Sequence, residues 1–92
     1  MIPPAKLERL LDRFSAIESE MASGASGAAF VKLSREHAEL GPVIETARAY
    51  RSVQTQLAET EALIADPATD PEMRGMAEQE RADLRTRLAA LD

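Results

Sequence analysis

The sequence has no cysteine and no tryptophan, and its 92 residues include only one tyrosine, two phenylalanines and one histidine. Without cysteine there can be no disulfide, no thiolate nucleophile and none of the usual structural zinc sites, which suits a protein of the reduced cytoplasm. His37 has no second histidine to complete a metal centre and no serine or cysteine pairing suggested by the pattern. It sits between Leu33 and Leu40 on an apolar stripe, where a packed and hydrogen-bonded ring is expected. No apolar run approaches the roughly 18 residues of a membrane span, and no basic segment followed by an apolar stretch opens the chain. A soluble, cytoplasmic protein is therefore expected. The four glycines never occur as a pair. The run Ser23-Gly24-Ala25-Ser26-Gly27 has no preceding strand and no Gly-Lys-Ser/Thr, so it reads as a loop and not as a phosphate cradle. No acid/base pair, nucleophile or metal cluster stands out, and neither an enzyme nor a cofactor is expected.

With aromatics this scarce, the core falls to Leu, Ile, Val, Met and Ala, most of which favour helix. Eleven Lys and Arg face sixteen Asp and Glu, for a net charge of −5 and a pI near 4.9. A field of that sign repels phosphate backbones, so direct nucleic-acid binding is not expected. A basic protein surface is the natural partner, with an attraction that weakens as salt rises.

From Phe30 to Ala65 the apolar positions Phe30, Leu33, Leu40, Ile44, Ala47, Tyr50, Leu57 and Ile64 recur at steps of three and four or their sums. That spacing predicts one long helix of about 50 Å, which cannot bury its own stripe and needs flanking segments folded along it. Before it, Leu7, Leu10, Phe14, Ile17 and Met21 step by three and four, with Leu11 widening the seam, behind a short lead-in of residues 1–4. The charged residues between them, Glu8 to Glu20, read as a solvated face. After it, Asp66-Pro67 ends the long helix and Asp70-Pro71 caps the next. That last helix carries a stripe of Met73, Met76, Ala77, Leu84, Leu88 and Leu91, and an i,i+4 pair between Asp83 and Arg87. The expected fold is all-α in a single domain, residues 1–92. It is an antiparallel three-helix bundle or long helical hairpin, with helices near 4–23, 28–65 and 71–91, and with the middle helix kinked or split near Gly41-Pro42.

The run from Phe30 through Leu33-Ser34-Arg35-Glu36 to Leu40, then Pro42-Val43 and Ala49-Tyr50-Arg51, resembles the N-terminal region of bacterial class I peptide chain release factors. So do Ala5 to Glu8 at the start, and Asp70-Pro71-Glu72-Met73-Arg74 with Met76, Ala77 and Glu80 near the end. The likeness covers essentially the whole chain. It is nearer to the type that reads UAA and UAG than to the type that reads UGA. His37, where the family usually has tyrosine, and Gly41 depart from the pattern.

The resemblance implies the helical first domain of such a factor. The codon-reading domain and the domain bearing the Gly-Gly-Gln motif are absent, so no catalytic or codon-reading residue carries over. It also implies an arm that contacts a protein of the GTPase-associated region of the large ribosomal subunit and affects the recycling GTPase. Which residues make that contact is not legible from the pattern. A second reading is a stand-alone helical-hairpin or coiled-coil adaptor that self-associates. A chain continuing past Asp92 into an α/β region would distinguish the first from the second. Weak self-association is expected on either reading, because a thin helical fragment buries little of its surface.

Overall fold

The computed structural model describes residues 2–92; Met1, the first residue of the expected lead-in, lies outside them. Three helices follow in order, α1 (Pro4–Ala22), α2 (Gly27–Ala65) and α3 (Pro71–Leu91), and no strand occurs among the described residues. The first begins at Pro4, whose missing N–H would have had no intrahelical partner there. The amides of Lys6 and Leu7 both donate to the Pro3 carbonyl at 3.1 Å. At its end Ser23 closes the helix twice, by its N–H to the Ser19 carbonyl at 3.0 Å and by its hydroxyl to the Glu20 carbonyl at 3.1 Å. Gly24 (φ 101°) and Gly27 (φ 62°) then take left-handed conformations that a Cβ would penalise, and these turn the chain into α2.

Pro42 does not split the middle helix, which is continuous from Gly27 to Ala65 with the proline inside it. Of the two alternatives expected at Gly41-Pro42, a kink or a split, the split does not occur, and the residue before the proline supplies a reason. A Cβ at that position clashes with the proline ring in the helical conformation, and Gly41 has none. The helix still loses one hydrogen bond, to the Ala38 carbonyl, and the proline ring still crowds that carbonyl, but the clash with a preceding Cβ is absent.

The chain forms two compact units whose boundary falls inside α2, one of residues 2–48 and one of residues 49–92. In the first, α1 and the opening half of α2 make an antiparallel hairpin whose interior holds Leu7, Phe14, Ile17, Leu33, Ile44 and Ala47. In the second, the closing half of α2 and α3 make another, around Tyr50, Val53, Thr60, Ala77 and Leu84. Thr60 is the one polar residue in this buried set, and its hydroxyl donates to the Gln56 carbonyl at 2.8 Å, so the burial leaves no orphan.

The expected stripe of α2 is buried or half-buried with one exception, and it gains one member. Phe30 is exposed, and Val53, outside the expected stripe, is buried. No single register of three-and-four steps fits all of α2, because Ile44, Ala47, Tyr50 and Val53 follow one another at steps of three. In α3 the inward seam runs Arg74, Ala77, Arg81, Leu84, Leu88, Leu91, with Ala77 and Leu84 buried and the others half-buried. Met73 and Met76 lie off that seam and face solvent.

Candidate interaction surface

The turn joining α2 to α3 is held by the side chains of Asp66, Thr69, Asp70 and Arg74. The Asp70 carboxylate accepts the Met73 amide at 2.9 Å, capping α3, and Pro71 takes the first helical position. Glu72 adds a negative charge beside the positive helix end. Arg74, one turn into the helix, reaches back to the end of α2. Its Nη2 donates to the carbonyls of Thr69 at 2.9 Å and Asp66 at 3.1 Å, and its Nε to that of Ile64 at 3.3 Å.

Those acceptors lie at or beyond the end of a helix, where carbonyls have no intrahelical donor. The fixed fork of a guanidinium suits three such oxygens better than the single head of a lysine would. Thr69 donates its hydroxyl to the Leu63 carbonyl at 2.7 Å, and the Asp66 carboxylate accepts the Ala68 amide at 2.9 Å. The tip is thereby cross-tied on both sides.

Beside this rigid turn, Leu63 (40% exposed), Met73 (46%) and Met76 (64%) present apolar side chains to water. A shallow groove runs between them along α3, with Ala77 at its floor, Glu80 and Asp83 on its edge and Arg87 at its far end. Between residues 59 and 80 the chain holds seven carboxylates and one cation, Arg74, whose guanidinium is occupied by backbone carbonyls. The acidic excess of the protein is concentrated in this hairpin: residues 49–92 carry nine acidic and five basic side chains, against seven and six in residues 2–48.

The first hairpin is pinned differently. Arg13 and Glu36 form a two-pronged pair, Nε to Oε1 at 2.9 Å and Nη2 to Oε2 at 2.7 Å. The hydrogen bond from Arg13 holds the Glu36 carboxyl below the ordinary carboxylate range against the opposing effect of desolvation, and the same bond raises Arg13. His37 stacks on the Phe14 ring, with centroids 4.5 Å apart and planes 25° apart. Its Nε2 lies 3.5 Å from a Glu18 oxygen. Across the same Phe14 ring, the Arg48 guanidinium carbon sits 5.7 Å from the centroid. Two of the residues expected on a solvated face, Arg13 and Glu18, are thus drawn into cross-helix contacts, with Glu36 and His37. In α3 the expected Asp83–Arg87 pair is not among the ion pairs of the described residues, and Arg85 instead reaches Glu61 on α2 at 3.4 Å. Among those residues no group of three or more His, Cys, Asp or Glu is placed to hold a metal ion, and no helix is long and apolar enough to cross a membrane.

Residues 10–92 of this sequence match the family model of the PCRF domain. The chain belongs to the PCRF domain family. Along its entire length this PCRF domain is 41% identical to peptide chain release factor 1 of Dinoroseobacter shibae. It spans about a quarter (25%) of the length of that curated relative. No solved structure matches it. Asp70 and Arg74, first noted as part of a family-like segment, are in the PCRF domain two of the residues that tie the α2–α3 turn together.

Proposed function

We propose that this PCRF domain is the helical interaction arm of a translation termination factor, acting on the ribosome in the cytoplasm. The observation that carries the reading is the 41% identity to peptide chain release factor 1 across all 92 residues. On this reading the arm contacts a protein of the GTPase-associated region of the large ribosomal subunit and influences the recycling GTPase. Peptidyl-tRNA hydrolysis and stop-codon reading belong to other parts of the factor, and the arm uses no cofactor. The concentration of carboxylates in residues 49–92 supports a basic protein as the contact in preference to RNA.

The test is peptide release from ribosomes programmed with a stop codon, comparing the full-length factor, the factor lacking this domain, and the domain alone, each with and without the recycling GTPase. The domain alone should release no peptide. The deletion should still hydrolyse but lose its response to the GTPase. A deletion that matches the full-length factor under both conditions would remove the proposed role. Release by the isolated domain would overturn the reading outright. Binding of the isolated domain to ribosomes should be weak, because one arm loses the effective concentration that a tethered multi-point contact supplies.

A further inference from the structure

We propose that Leu63, Met73 and Met76, edged by Glu80 and Asp83, form a docking surface for a basic amphipathic segment of a partner protein. The inference deepens the reading of this domain as an interaction arm and rests on it for the partner being ribosomal. The surface itself is argued from the side chains.

Three large apolar side chains at 40%, 46% and 64% exposure stand together at one end of a hairpin whose other apolar seam positions are turned inward. Methionine is flexible and polarizable, and it adapts to a partner's apolar face at low cost. The turn beneath is held by Asp70 and Arg74, so the surface is preorganised and little ordering entropy is lost on docking. Charge then selects the occupant. Neither Glu80 nor Asp83 has an ion-pair partner among the described residues, and the groove they edge lies in a hairpin of nine acidic and five basic side chains.

Anionic lipid and nucleic acid are repelled by that field. A second copy docking by the same patch would bring Glu80 and Asp83 up to their own duplicates in a hairpin with a net negative charge. A segment with apolar side chains on one helical face and Lys or Arg beside them satisfies both components at once. Arg87 at the far end of the groove limits the basic stretch to the part nearest the turn.

The probe is a synthetic helix of about four turns, with Leu on one face and Lys elsewhere, added to the 92-residue chain carrying 13C-methyl methionine. Controls are the same peptide with Glu in place of Lys, and a Lys peptide without the apolar face. The Met73 and Met76 methyl signals should move while Met21, in the other hairpin, stays in place. Affinity should fall as salt rises, and neither control should bind comparably. Met76→Lys should weaken binding about tenfold, the loss expected for one apolar contact of about 1.4 kcal/mol at an interface centre. Glu80→Lys, at an exposed position, should weaken it with an unchanged helical circular dichroism spectrum. Equal movement of all three methyls, equal binding of the Glu peptide, or a Met76→Lys chain that binds like the parent would overturn the proposal.

Purified large ribosomal subunits separate this inference from the reading above it. Loss of subunit binding in Met76→Lys together with peptide binding supports both. Subunit binding that survives Met76→Lys and Glu80→Lys removes this surface and leaves the termination reading standing. Peptide binding with the expected methyl shifts, but no subunit binding even by the full-length factor, removes that reading and leaves the surface.

Discussion

Replacing Arg74 with alanine should destabilise the second hairpin by about 2 kcal/mol. The guanidinium makes three hydrogen bonds to carbonyls at 2.9, 3.1 and 3.3 Å, and a bond from a charged donor contributes about 1.5–3 kcal/mol when sheltered and less where water can replace it. The bond to Asp66 is exposed while those to Ile64 and Thr69 are part-buried. Two effective bonds at the lower end of the range, less partial resolvation of the freed carbonyls, give the figure. For a chain of this size it corresponds to a fall in Tm of about 10 °C. Arg74→Lys should recover only part of the loss, because an ammonium on a flexible stem cannot span the same three oxygens. Urea unfolding followed by circular dichroism measures both variants. Amide exchange should show faster exchange at Ala68, Thr69 and Met73 in Arg74→Ala than in the parent. A variant within about 0.5 kcal/mol of the parent, with exchange at the turn unchanged, would refute the idea that this arginine ties the end of α2 to α3.

Two further outcomes follow from contacts described above. The folded-state pKa of Glu36 is lowered, chiefly by the hydrogen bond from Arg13, so its contribution to stability is fully present above the unfolded value of about 4.3 and is lost as pH falls through the lower folded value. Glu36→Gln should flatten the acid limb of the stability–pH curve below about pH 5, whereas an acid limb identical to the parent's would show that the pair contributes nothing. Pro42→Ala should stabilise the protein by about 2 kcal/mol, since restoring the helix-interior bond and removing the ring's clash with the preceding turn together gain about 3 and the more flexible unfolded chain takes back up to about 1. An unchanged or lower urea midpoint would mean that the proline serves the local packing of α2.

The helix ends were legible because they rest on short-range chemistry that one sequence states in full. Asp70 and Pro71 place the start of α3 where expected. Glycines near residue 24 end α1 at Ala22, one residue short of the expected Ser23. Gly41-Pro42 was only half legible, because proline's cost is visible in sequence while the relief given by a preceding glycine depends on whether tertiary packing keeps the helix going. The candidate surface was misread for a physical reason. Apolarity alone points Met73 and Met76 inward, yet the inward position in that first turn belongs to Arg74, a charged residue whose partners are backbone carbonyls invisible to a hydropathy pattern. Carrying the three-and-four step backwards from Leu84 through Arg81 and Ala77 arrives at Arg74, and that signal was present in the sequence.

The division of the contacts into two hairpins has a kinetic consequence. Arg13 and Glu36 are 23 residues apart in the chain and Glu61 and Arg85 are 24 apart, so both cross-helix pairs close short loops. Low mean sequence separation of contacts belongs with folding in microseconds to milliseconds. During synthesis at about 5–20 residues per second, every residue of the first hairpin is translated before α3 begins at Pro71. The seam of residues 2–48 therefore has no need to wait for α3, and its apolar side chains find their partners within their own hairpin.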